Sequence, residues 1–138
     1  MSKPMDQSKE KPEKPKEMTG SPFLKLLGIT IEEASYPYAR LTLPWDGRLV
    51  NPMGTLHGGV FSTLVDAALG CALLSKEEVK GIATMELKVN YFTSITEGMI
   101  KAEGEIIHRR GTIAFGQARI YCQDNLTALG SATYKLIL

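Results

Sequence analysis

Asp66 is the only side chain charged at neutral pH in the run GGVFSTLVDAALGCALL, residues 58–74. A carboxylate among apolar side chains is costly unless it is hydrogen-bonded, shifted in pKa or open to a wet cleft. Two uses follow. It is either a structural Asp bonded to nearby backbone or to the hydroxyl of Ser62 or Thr63, or a group kept for attack or proton transfer. The run opens His57-Gly58-Gly59. The first N–H groups of a helix lack internal partners and carry partial positive charge, and glycine there removes the Cβ that would hold a ligand off. A carbonyl oxygen docked at that end would be polarised as in an oxyanion hole. The simpler use of the same residues is a tight loop-to-helix turn with His57 at the surface.

His57 and Asp66 are nine residues apart. On a helix that is about 900°, half a turn off one face, and about 13 Å along the axis. The two groups cannot meet on one substrate atom within a single helix. If both serve one reaction centre, one of them comes from a second chain, which predicts a site shared across a homodimer.

The elements that position these residues follow from patterning. Residues 58–75 are apolar nearly all round, which predicts one long helix buried on most sides. Ser21-Pro22 starts a short turn through Phe23, Leu24 and Leu27 that Gly28 stops. Residues 29–33 and 38–43 predict two strands or a hairpin, and Pro44 to Leu56 a long loop. Four strands are predicted after the helix. In 82–92, Ala83, Met85, Leu87, Val89 and Tyr91 share one face. In 99–107, Ile100, Ala102, Gly104 and Ile106 oppose Lys101, Glu103 and Glu105. Strands 112–122 and 126–137 are set off by turns at Arg110-Gly111 and Asp124-Asn125. Short turns between successive strands imply an antiparallel meander. The inward residues of the last strand, Leu126, Ala128, Gly130, Ala132 and Tyr134, are mostly small and would let a helix lie close. The class is α+β, one antiparallel sheet with one buried helix.

The chain has 138 residues, enough for one domain, with 43% hydrophobic and 22% charged residues. Residues 1–20 hold five Lys, four acidic residues and three Pro, with Met as the only large apolar type; they predict a flexible N-terminal tail on a domain spanning 21–138. A net charge of +1 argues against nucleic acid as partner. No apolar run approaches the length of a membrane span, and the first 20 residues lack the apolar stretch of a signal peptide, so a cytoplasmic protein without membrane partners is expected. Cys71 and Cys122 form no CxxC pair, and His57 and His108 are the only histidines, so no metal is expected. No Gly-x-Ser-x-Gly elbow occurs, which disfavours a serine hydrolase.

Asn51-Pro52-Met53-Gly54-Thr55-Leu56-His57-Gly58-Gly59 followed by Thr63-Leu64-Val65-Asp66 resembles the hot-dog-fold acyl-CoA thioesterases, in particular the branch related to the phenylacetic-acid-pathway thioesterase. Lys88-Val89-Asn90-Tyr91 and His108-Arg109-Arg110-Gly111 extend the likeness over roughly 21–138. The resemblance implies a curved antiparallel sheet wrapped around one long helix, in dimers commonly paired into tetramers. It implies hydrolysis of a small aromatic or medium-chain acyl-CoA, with coenzyme A as part of the substrate and no separate cofactor. By the same resemblance Asp66 is nucleophile or general base and the Gly58 N–H polarises the thioester carbonyl. Asn51 and His57 position that loop, or the substrate and water, and Gly59 lies against the substrate. Thr84, 18 residues after the Asp, assists in some relatives, although simple alternation turns it away from the apolar face. Arg109, Arg110 and Gly111 resemble a turn that meets coenzyme A phosphates; a solvated hairpin turn is the plain alternative. The second function class is a non-catalytic acyl-CoA-binding or regulatory hot-dog protein.

Overall fold

The computed structural model describes residues 21–138, and the expected tail, 1–20, lies outside the described residues. The Ser21 side chain accepts the Leu24 N–H, Pro22 fills the first helical position and Gly28 ends the turn at φ +87°, which together make α1, Pro22–Leu27. β1 (Thr30–Ser35) and β2 (Tyr38–Pro44) pair as a hairpin. The loop after β2 holds one 3-10 turn, Gly47–Leu49, and leads into α2, Gly58–Leu74. The strands β3 (Gly81–Tyr91), β4 (Met99–Arg110), β5 (Ile113–Cys122) and β6 (Asn125–Ile137) follow.

The six strands form one antiparallel sheet in the order β1-β2-β4-β5-β6-β3. The expected meander holds for β4, β5 and β6. β3 does not sit beside β4. It takes the far edge next to β6, and the segment after Tyr91 returns the chain across to Met99. Alternation tells which face a residue occupies but not which strand it pairs with, so this crossing is invisible to periodicity.

α2 packs into a trough of small residues, as the last strand's composition predicts. Ala39, Gly104, Ala118 and Gly130 are successive partners across β2, β4, β5 and β6. A Cβ built on Gly130 would stand 2.6 Å from Val65 Cγ2, and one on Gly116 would stand 2.7 Å from Leu69 Cδ2. Backbone and helix are thus in near contact, and Leu64, Val65, Ala68, Leu69 and Ala72 are fully buried. Cys71 and Cys122 are both buried. Among the described residues no helix is long and apolar enough to cross a membrane.

Two strand faces differ from expectation, each at a β-bulge. In β3, Leu87 and Val89 pack on the core, but Ala83 and Met85 are exposed. Met85 is the inserted residue: Thr84 pairs with Tyr134 and Glu86 with Thr133. One extra residue reverses the alternation, so Ile82 and Thr84 face the helix instead. In β6 the register shifts opposite Ile120 and Tyr121. Leu126 is therefore exposed, while Thr127 is buried and donates its hydroxyl to the Ile120 carbonyl at 2.9 Å.

Candidate active site

Asp66 sits in the middle of α2, half-buried, where neither helix end reaches it. Two hydroxyls converge on its Oδ1: Thr84 from β3 donates at 2.9 Å and Tyr134 from β6 at 2.8 Å. The Tyr134 hydroxyl also lies 3.1 Å from the Asp66 backbone carbonyl. The Met85 bulge is what turns Thr84 inward, so Thr84, which simple alternation would point away, meets Asp66. Burial, followed by the adjacent Asp66 charge, pushes the Tyr134 phenol far above its ordinary pKa, so it stays a protonated donor. The structural alternative through Ser62 and Thr63 does not hold. Their hydroxyls donate to the carbonyls of Gly58 and Gly59 one turn back, at 3.4 and 2.9 Å.

Asp66 opens onto a cleft of about 300 Å³ whose walls include Phe23, Leu24, Ala67, Ile82 and Leu87. Ser21, Ser62 and Thr63 complete a mainly apolar wall, and a carboxylate set in it suits a substrate with an apolar body and one polar reacting centre.

The start of α2 is built by two side chains. Asn51 folds its own loop: its Oδ1 accepts the N–H groups of Met53 (2.9 Å) and Thr55 (3.1 Å), and its Nδ2 donates to Thr55 Oγ1 at 2.7 Å. His57 is the N-cap, and its Nδ1 accepts the Gly59 N–H at 2.8 Å. That bond assigns the proton of the neutral ring to Nε2, which is left as an outward donor. The His57 carbonyl takes the Val60 N–H at 2.9 Å. Among the described residues the Gly58 N–H has no acceptor. Gly59 offers no N–H to a ligand, because its own N-cap already holds it.

Tyr91, expected on the face of β3 shared with Leu87 and Val89 but given no role there, closes this end. Its hydroxyl donates to the Gly58 carbonyl at 3.0 Å, and a Cβ on Gly58 would meet the Tyr91 hydroxyl oxygen at 3.2 Å. Asn51, Gly58, Tyr91 and Phe92 border a second cleft, of about 470 Å³. No residue lines both clefts, and Gly58 and Asp66 stand about 12 Å apart along the axis of α2.

Arg109 and Arg110 end β4. Arg109 is engaged, with Nε donating to the Gly111 carbonyl at 3.1 Å and Nη1 3.4 Å from Glu78 Oε2. Arg110 is exposed, and Gly111 makes the turn at φ +62°. This corner is apart from both clefts. Among the described residues no group of three or more His, Cys, Asp or Glu side chains is placed to hold a metal.

Residues 53–129, which include Gly58, Asp66, Thr84 and Arg109, match the thioesterase superfamily. The Bacillus subtilis (strain 168) protein named "Putative esterase ComA2" is 31% identical over 118 residues, covering 83% of this chain and 94% of that protein. The solved structure of thioesterase HI1161 from Haemophilus influenzae is 25% identical with a TM-score of 0.78, covering 88% of this chain and 86% of that one. A point variant of the phenylacetic acid degradation protein PaaI from Thermus thermophilus shares the fold, with a TM-score of 0.78 at 19% identity over 85% of this chain and 99% of that one. With the single antiparallel sheet packed on one long helix, these likenesses make this chain a hot-dog thioester hydrolase, a member of the thioesterase superfamily.

Proposed function

We propose that the protein hydrolyses an acyl-CoA with a small aromatic or medium-chain acyl group, using Asp66 as the reacting carboxylate. The observation that carries this reading is a carboxylate held by two hydroxyls at the wall of a mainly apolar cleft. As general base, Asp66 takes a proton from water while the water oxygen adds to the thioester carbon. The tetrahedral oxyanion rests on the Gly58 N–H, the C–S bond breaks, and the thiolate leaves to be protonated as coenzyme A. As nucleophile, Asp66 displaces the thiolate to give a mixed anhydride, which water then cleaves to the free acid. Asn51 and His57 hold the loop that presents Gly58. Thiol release from a panel including phenylacetyl-CoA and hexanoyl-CoA tests the reading. Saturable binding without thiol release across the panel would instead favour the acyl-CoA-binding regulator.

The separation of the two clefts supports a site assembled from two chains, with Asp66 from one and the Gly58 end of α2 from its partner. Such a protein is a homodimer at least, and sedimentation of an active preparation as a monomer would refute it. Mixing Asp66→Asn chains with His57→Ala chains tests the arrangement itself. After random exchange half of the dimers are mixed, and each contains one intact site, so activity recovers to at most about a quarter of wild type. No recovery after verified exchange would tell against a shared site.

The Arg109–Arg110 corner would meet the phosphates of coenzyme A. Replacing both with Ala is expected to raise KM roughly 5- to 30-fold with kcat little changed, as two exposed charge contacts of about 0.5–1 kcal/mol each would give. Arg110 should contribute more than Arg109, which must first release Glu78. A short N-acetylcysteamine thioester, lacking the nucleotide, should be indifferent to both changes; equal effects on the two substrates would refute the assignment.

A further inference from the structure

The geometry points to Tyr134 as a positioning residue that, together with Thr84, fixes Asp66 Oδ1 and so reserves Oδ2 as the reacting oxygen. The inference rests on the reading of Asp66 as the reacting carboxylate and adds to it which oxygen reacts and what selects it. The terminal torsion of an Asp side chain is broad and nearly two-fold, so an unrestrained carboxylate presents either oxygen. Here two donors from different strands, β3 and β6, bind the same oxygen at 2.9 and 2.8 Å. Among the described residues no donor reaches Oδ2, which leaves its lone pairs for water or the thioester carbon.

The two donors are unlike. Thr84 is exposed, whereas Tyr134 is 0% exposed and packed beneath α2. The phenol cannot swing away, and its proximity to the Asp66 carbonyl ties the side chain to the helix that carries it. Its raised pKa keeps it a donor at any working pH. Asp66 is thus held with one oxygen occupied, and attack at a fixed thioester is limited by how well the other is aimed.

Tyr134→Phe in the full chain removes only the hydroxyl. The expected result is a fall in kcat of about 10- to 100-fold, the usual effect of a misaimed reacting group, with KM within about twofold and Tm within a few degrees. Turnover is taken per folded molecule, well below the variant's own midpoint, so that lost stability alone leaves it unmoved. Asp66→Asn is measured alongside. An inactive Asp66→Asn with a fully active Tyr134→Phe overturns the positioning role and leaves the Asp66 reading intact. An active Asp66→Asn overturns both. If the phenylalanine variant yields no folded protein, Thr84→Val decides: a drop in kcat at constant KM supports the pair of donors on Oδ1, and an unchanged kcat overturns it.

Discussion

Asp66→Asn is expected to lower kcat by roughly 10²–10⁴, the range for losing a positioned base, while Tm stays level or rises slightly. The two halves of that result come from the same contacts. An asparagine keeps an amide oxygen where Oδ1 lies, so Thr84 and Tyr134 retain their acceptor. What disappears is the negative charge of the carboxylate and the desolvation cost of holding it beside a mainly apolar wall. A structural aspartate would give the opposite pattern, a less stable protein whose folded fraction turns over normally. Thiol release and a melting curve on one preparation separate the two outcomes.

Gly130→Ala is expected to destabilise the fold by about 1–3 kcal/mol, as overpacking typically does, for a Tm lower by several degrees. The added carbon would lie 2.6 and 2.7 Å from the two methyls of Val65 and 3.1 Å from the Lys88 carbonyl oxygen. Val65 has a stiff branched side chain on a buried helix, and the backbone oxygen belongs to the neighbouring strand, so neither yields cheaply. Gly70→Ala is the contrast. Its Cβ would meet only the far methyl of Ile82, at 3.0 Å, and removing a glycine from a helix interior returns up to about 1 kcal/mol. Equal losses at the two positions would contradict a helix seated in a glycine trough. Val65 also adjoins Asp66 in the chain, so Gly130→Ala should reduce turnover as well as stability.

Much of this architecture was legible because its signals are local. The apolar run 58–74 could only be a buried helix, the glycine and alanine content of the last strand predicted close packing, and the distance from His57 to Asp66 along one helix is fixed by its rise. Features that depend on inserted residues were not legible. Met85 reverses the alternation of β3, so simple parity sent Thr84 outward when it faces Asp66. The shift opposite Tyr121 exchanged Leu126 for Thr127 in the same way. Tyr134 was correctly placed on the inner face, but its role depends on a contact with a residue 68 positions earlier, and no spacing rule reaches that far. Nor does alternation reveal that β3 lies beside β6.

Placing Asp66 nine residues into α2, rather than at its start, has an electrical consequence. The field of a helix terminus fades within about one turn. A carboxylate in that first turn would draw the exposed N–H groups to itself and cancel the partial charge that a substrate oxygen could use. Asp66 stands roughly 12 Å from Gly58 along the axis, about two turns beyond the N–H groups of that tip. One rigid element therefore carries partial positive charge at its tip and a negative charge on its flank without self-neutralisation, and the two opposite charges are available to whatever is brought against each.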